Sequence, residues 1–164
     1  MDFSTLFLRE IKRRLFEESF ARLRQCLSML TEEETWYRPN ENSNSVGNLT
    51  LHLMGNTKQW ILSGLGKEPD TRTRQQEFDE RGPIPTTVLL DQLDKLEKKL
   101  DACISSLQPE SLTAIHDVQV YKEHGISILV HVVEHFSYHV GQITYYVKAR
   151  KNVDTQYYGD QDLG

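Results

Sequence analysis

Four long segments of helical periodicity, almost no strand patterning, and connections rich in helix breakers predict an all-α protein, a four-helix bundle. Four amphipathic helices bury their apolar stripes most economically against one another. The 164 residues suffice for one compact core, and residues 1–164 are expected to form one domain. An apolar share of 38% and a charged share of 26% lie well away from the composition of disordered chains.

The first helix is read between Phe3 and Leu30, where Leu8, Ile11, Leu15, Phe16, Phe20, Leu23, Leu27 and Leu30 recur at steps of three and four. Thr31 to Asn44 breaks that rhythm, because Pro39 forces its predecessor out of helical geometry. The Asn/Ser cluster from Asn42 to Ser45 then offers N-cap oxygens. A second helix runs from about Val46 to Leu65 on the stripe Val46, Leu49, Leu53, Trp60 and Ile61, with Gly64 and Gly66 marking its stop. Residues 66–85 are polar and rich in Gly and Pro, a connection long enough for a crossover or a lid. Thr86 or Thr87 is the expected cap of a third helix carrying Val88, Leu89, Leu93, Leu96, Leu100, Ile104 and Leu107, which Pro109 ends. Residues 109–125 are irregular apart from a short extended stretch at Val118 to Tyr121. The fourth helix spans about Ile126 to Arg150 with Leu129, Val132, Phe136, Val140, Ile143 and Val147 on one face, and a polar, irregular tail follows Lys151.

Composition removes several function classes. Nineteen basic against twenty-four acidic residues give a net charge of −5 without a concentrated basic footprint, which argues against nucleic acid as a partner. The one basic run, Lys12-Arg13-Arg14, shares its helix with Glu10, Glu17 and Glu18 and reads as a solvated face. The start has no apolar core or cleavage site of a secretory leader, and no apolar run approaches the ~20 residues that cross a bilayer. A cytoplasmic protein with no membrane partner is expected. Cys26 and Cys103 lie in helical patterns and read as small buried hydrophobes of a reducing compartment. No Gly-x-Ser-x-Gly turn and no phosphate-cradling glycine motif is present, and neither cysteine has a histidine placed to activate it.

The histidines carry the chemical signal. His131, His135 and His139 fall one turn apart on the fourth helix, and a spacing of four sets side chains about 6 Å apart along one face. At about 100° per residue, His139 lies inside one edge of the apolar stripe, His135 one step further round, and His131 toward solvent. On the second helix, His52 and Asn56 sit beside Leu49 and Leu53 at the border of the buried face. Two helices can thus aim three imidazoles, those of His52, His135 and His139, at one point. Unpaired, they would cost several kcal/mol to bury, and a metal ion is the usual compensation. Taken singly, His52 reads as a hydrogen-bonded core histidine. His116, His124 and His131 read as peripheral or loop residues.

The run Val133-Glu134-His135-Phe136-Ser137-Tyr138-His139-Val140-Gly141-Gln142-Ile143 resembles the last-helix signature of the DinB-like family, His-x3-His followed by Gly-Gln-Ile. Trp36-Tyr37-Arg38-Pro39, Ser45-Val46-Gly47-Asn48-Leu49 and His52-Leu53 resemble that family's Trp-x-x-Pro segment and second helix, so the similarity spans about residues 5–150. The resemblance implies an antiparallel bundle with a long crossover, a three-histidine site for zinc or nickel, and frequent homodimers. Carried over by position, the metal ligands are His52, His135 and His139. Many relatives have Arg after the last histidine where this chain has Val140, which puts any role of that Arg in doubt. Gln142 and Asn56, each one turn beyond a histidine, are candidates to orient ligands or substrate, or are ordinary border residues.

Three neutral ligands leave one tetrahedral position for water or substrate, the arrangement of a catalytic zinc site. An ion there can activate water for hydrolysis or hold a low-molecular-weight thiol as thiolate for S-transfer, an activity known within the resembling family. Glu134 faces outward by the angular count and Tyr138 reaches only the rim, so no catalytic residue beyond the ligands is assigned. The missing base favours thiol transfer slightly. The competing reading is a noncatalytic metal-binding or dimerisation module whose ion pins two helices together. A third reading has the protein act through its surface, with Phe3, Leu6 and Phe7 supplying a dimer face.

Overall fold

The computed structural model describes residues 2–159 and 161–162. Helix α1 (residues 3–29) opens the chain, its α-helical Phe3–Lys12 and Ala21–Met29 flanking a π-helical stretch, Arg13–Phe20. Asp2 caps its start by accepting from the Thr5 amide at 3.0 Å. A short α2 (Glu32–Trp36) follows, closed by a reciprocal capping box between Thr31 and Glu34. Helix α3 (residues 46–65) is α-helical over Val46–Thr57 and π-helical over Lys58–Leu65. Its cap comes from the expected Asn/Ser cluster: the Asn48 amide donates to Ser45 Oγ and the Ser45 amide to Asn48 Oδ1.

The connection from α3 holds a six-residue helix, α4 (Arg74–Asp79), laid against α3. Helix α5 (Thr86–Ser106) begins one residue earlier than the caps expected for it. Pro85 takes the N-cap position and its carbonyl accepts from Val88 and Leu89, so neither Thr86 nor Thr87 caps. Pro109 does not end α5, which stops at Ser106. It opens α6 (Pro109–Thr113) at a position where a missing N–H costs nothing. The extended stretch expected at Val118–Tyr121 is the corner of a hairpin: β1 (Ile115–Val118) pairs antiparallel with β2 (Tyr121–His124), and Gln119 turns the chain at φ 54°. His116 and His124 therefore lie on strands. Helix α7 (Gly125–Lys151) ends on Asn152 in the left-handed conformation, φ 49°.

The four long helices α1, α3, α5 and α7 form an antiparallel bundle with a long crossover, α7 packing on α1 and α3, and α5 on both as well. Its centre is marked by Phe20 and Phe136, both fully buried, whose rings stack 4.7 Å apart. The tail after α7 is irregular, as expected of its polarity, yet it docks. Gln25 Nε2 donates to the Thr155 carbonyl at 2.7 Å, and the Tyr157 hydroxyl sits 2.7 Å from Thr144 Oγ1 and 3.2 Å from Cys26 Sγ. Burial pushes the Tyr157 hydroxyl up to about 12. Cys26 is buried as expected, whereas Cys103 is only half-buried. Among the described residues no helix is long and apolar enough to cross a membrane.

Candidate metal centre

Helix α3 supplies His52 and α7 supplies His135 and His139, and because these helices pack together the three rings meet. Ring centroids lie 4.9 Å apart for His52 and His135, 5.2 Å for His52 and His139, and 4.7 Å for His135 and His139. One nitrogen from each falls within 4.8 Å of the others, and the Nε2 atoms of His52 and His135 are 3.1 Å apart. Two nitrogens on one tetrahedral zinc ion stand roughly 3.3 Å apart, given Zn–N bonds of about 2.0–2.1 Å. The cluster could thus hold a metal ion.

The surroundings select which nitrogens are available. His52 Nδ1 lies 3.0 Å from Glu77 Oε2, and Arg72 holds the same carboxylate through Nε at 2.7 Å and Nη2 at 2.8 Å. Arg72 Nη2 is also 3.1 Å from that Nδ1, but its donation to the carboxylate leaves Nδ1–H to donate to Glu77 and turns the Nε2 lone pair inward, where in the metal-free protein it accepts from His135 Nε2. Burial opposes charge on Glu77, yet the hydrogen bonds from Arg72 and His52 outweigh it and hold the carboxyl below its usual range. On the other side His139 Nδ1 lies 2.7 Å from Gln142 Oε1, an acceptor that likewise fixes the proton on Nδ1 and frees Nε2. Two of the three imidazoles are therefore held in the tautomer that offers Nε2 to a cation, which is how metal-ligating histidines are oriented. Burial, reinforced by the neighbouring imidazoles, pushes His135 down to about 3, and burial lowers His139 as well, so both are neutral and need lose no proton charge to ligate. The donor set fits a divalent ion.

Several residues differ from their expected places. His131 does not drift to solvent: it is half-buried, stacked on Trp60 with centroids 3.8 Å apart and 5.4 Å from the His135 ring. Asn56 is buried but orients no ligand, its Oδ1 lacking any partner. Gln142 does bond a ring of the cluster, while Glu134 is exposed and Tyr138 stands at the rim with its ring 5.0 Å from that of His139. Val140 is buried in the core. Glu77 and Arg72 escaped the sequence reading altogether. They come from the crossover, whose composition shows no periodicity to aim them.

A family model described as a protein of unknown function (DUF1572) matches residues 2–158. The chain belongs to that family. Solved structures similar to this DUF1572 chain include a DinB-like protein from Bacillus cereus ATCC 10987, with a TM-score of 0.66 at 20% identity over 91% of this chain and 93% of that one. A DinB-like protein from Bacillus subtilis gives 0.69 at 18% identity over 91% and 97%. A conserved protein from Enterococcus faecalis gives 0.69 at 16% identity over 93% and 99%. At these identities the likeness shows the fold, and the fold is DinB-like. No curated protein matches the chain.

Proposed function

We propose that this DUF1572 protein is a metal-dependent enzyme in which His52, His135 and His139 hold a divalent ion, zinc or nickel, and a small-molecule nucleophile is activated beside them. The observation that carries this reading is the pair of oxygen acceptors, Glu77 on His52 and Gln142 on His139, that draw the protons of these two rings to Nδ1 and turn their Nε2 lone pairs inward. With three neutral ligands, a bound ion supplies Lewis acidity that lowers the pKa of a water or a thiol at the remaining position. The protein's own groups favour the thiol. Hydrolysis wants a base near the incoming water, but Glu77 is occupied by His52 and Arg72, and Glu134 is exposed away from the cluster. Transfer of a low-molecular-weight thiol needs only that the thiol release its proton to solvent, since a bound ion would itself hold the thiolate without a protein base. His135, flanked by both other rings, fixes the centre of the site. Arg72, paired with Glu77, keeps that carboxylate charged at neutral pH.

Metal analysis of the purified chain, followed by calorimetric titration with cellular thiols, tests the reading. About one equivalent of metal, lost in a His135→Ala His139→Ala variant, and thiol binding only by the metal-loaded protein are the expected results. Thiol indifference would leave the rival reading, an ion that merely pins α3 to α7. Under that rival the fold is lost on chelation.

A further inference from the structure

We propose that the cavity beside the histidine cluster is a recognition pocket for a compact zwitterion of amino-acid or dipeptide size. Arg74 and Trp60 read its carboxylate, and Asn56 and Glu123 its ammonium. The cavity, of about 380 Å³, is walled by α3, the start of α4, the hairpin and α7. Four residues of this wall carry a buried polar atom that no protein group satisfies: Asn56 Oδ1, Trp60 Nε1, His131 Nε2 and His135 Nδ1. Among the described residues the only other such atom is Thr86 Oγ1, so unmet hydrogen-bonding capacity is concentrated in this one place. Buried polar groups are nearly always paired, and a cluster of exceptions calls for a partner the protein does not itself supply.

Asn56 and Trp60 are each 5% exposed and lie one turn apart on α3. They are an acceptor and a donor that could satisfy each other, yet they do not pair. The change to π-helix at Lys58 falls between them. The charges point the same way. Arg72, also on the wall, is neutralised by Glu77. Arg74 has no carboxylate partner among the described residues and lies over the Phe78 ring at 4.8 Å, and Glu123 makes no ion pair among them either. One unpaired cation and one unpaired anion facing a single cavity match a zwitterion better than a plain anion or cation. The indole N–H and the guanidinium only donate, which suits a carboxylate, whereas Asn56 Oδ1 and Glu123 accept, which suits an ammonium or amide N–H. Asn56 Oδ1 and Trp60 Nε1 are the buried atoms that such a ligand would satisfy. The proposal deepens the function argued above by naming what sits next to the activated nucleophile, and it rests on that site being open to ligand.

The two tryptophans give a built-in reporter. Trp36 Nε1 donates to the Ile84 carbonyl at 3.1 Å and serves as the internal control, while Trp60 Nε1 is unpartnered. Nitrogen-15 indole spectra of the full chain, metal-loaded and after chelation, are recorded while L-alanyl-L-alanine is added. This probe lacks a thiol, so its binding does not depend on the nucleophile reading. The Trp60 signal should move saturably and the Trp36 signal stay in place. Esterifying the carboxylate or acetylating the amine should each weaken binding about tenfold, as expected for loss of one charge-assisted hydrogen bond. Arg74→Gln should abolish the preference for the free carboxylate and Glu123→Gln that for the free amine. Neither side chain is buried, so both variants should fold. A Trp60 signal unmoved at saturation, or equal response to all three probes, overturns the proposal. So does a shift confined to metal-loaded protein and indifferent to both variants, which is chelation of the ion by the dipeptide. Selective binding after chelation would stand even if the metal-dependent reading fails.

Discussion

Glu77 is the side chain on which most of the centre converges, since one carboxylate accepts from both His52 and Arg72 with only 11% of its side chain exposed. Glu77→Gln keeps the shape but removes the charge and can turn an N–H toward His52. Metal affinity should fall roughly 10- to 100-fold, the usual effect of losing a group that orients a ligand, as measured by competition with a chromophoric chelator. The variant should also unfold more easily, because the Arg72 guanidinium, its side chain 5% exposed, loses its counter-charge. Of these residues the sequence revealed only the histidines, because a spacing of four on an amphipathic helix fixes direction. Nothing comparable fixes direction in a connection, so Glu77 and Arg72 were unreadable. His131 was misplaced because a fixed angle per residue on α7 takes no account of Trp60, whose ring covers it.

Among the elements, α4 and α3 meet at Gly55. A Cβ there would stand 1.9 Å from Glu77 Oε1. The colliding atom is the tip of a flexible side chain, so Gly55→Ala should displace Glu77 and spare the backbone. Better helix propensity, worth up to ~1 kcal/mol, offsets part of the lost contacts. The expected outcome is a thermal midpoint modestly below the parent's with metal affinity reduced about tenfold or more. By contrast Phe136→Ala, at the stacked pair in the middle of the bundle, should cost about 3–5 kcal/mol in chemical denaturation. The long helices were legible because their stripes repeat over many turns. The short helices were not, being only five or six residues each. The hairpin was half-read because its turn uses Gln119-Val120 where a glycine or asparagine would have announced it.

For the whole molecule, acid should act on the metal-free protein through its buried imidazoles. His135 titrates at about 3 when folded against 6.5 in its ordinary state, so between those values the unfolded chain binds the extra proton. Burial lowers His131 and His139 in the same direction. The imidazoles' contribution to stability should therefore be fully present above about pH 6.5 and decline as pH falls from there toward 3, which thermal midpoints of chelated protein across that window would show. The bundle was readable from composition and periodicity. The docking of the tail was not, because two tyrosines and a threonine in a polar stretch carry no pattern. Removing residues 152–164 should uncover the Cys26 thiol, now closed over by Tyr157, and make it react with a thiol reagent that leaves the full chain unmodified at that position.

The short helix α4 has no fully buried residue and is fastened by the half-buried Phe78 ring, 4.9 Å from that of His52, and by polar links: Asn48 Nδ2 to the carbonyls of Glu77 and Glu80, and Glu77 itself to His52 and Arg72. A segment held in this way opens at a lower free energy than the bundle beneath it. Since one of its fastenings ends on a ring of the histidine cluster, whatever secures that ring also secures the strap. Occupancy of an interior centre thereby becomes legible from outside the molecule, as the rate at which a protease nicks the chain between residues 67 and 85.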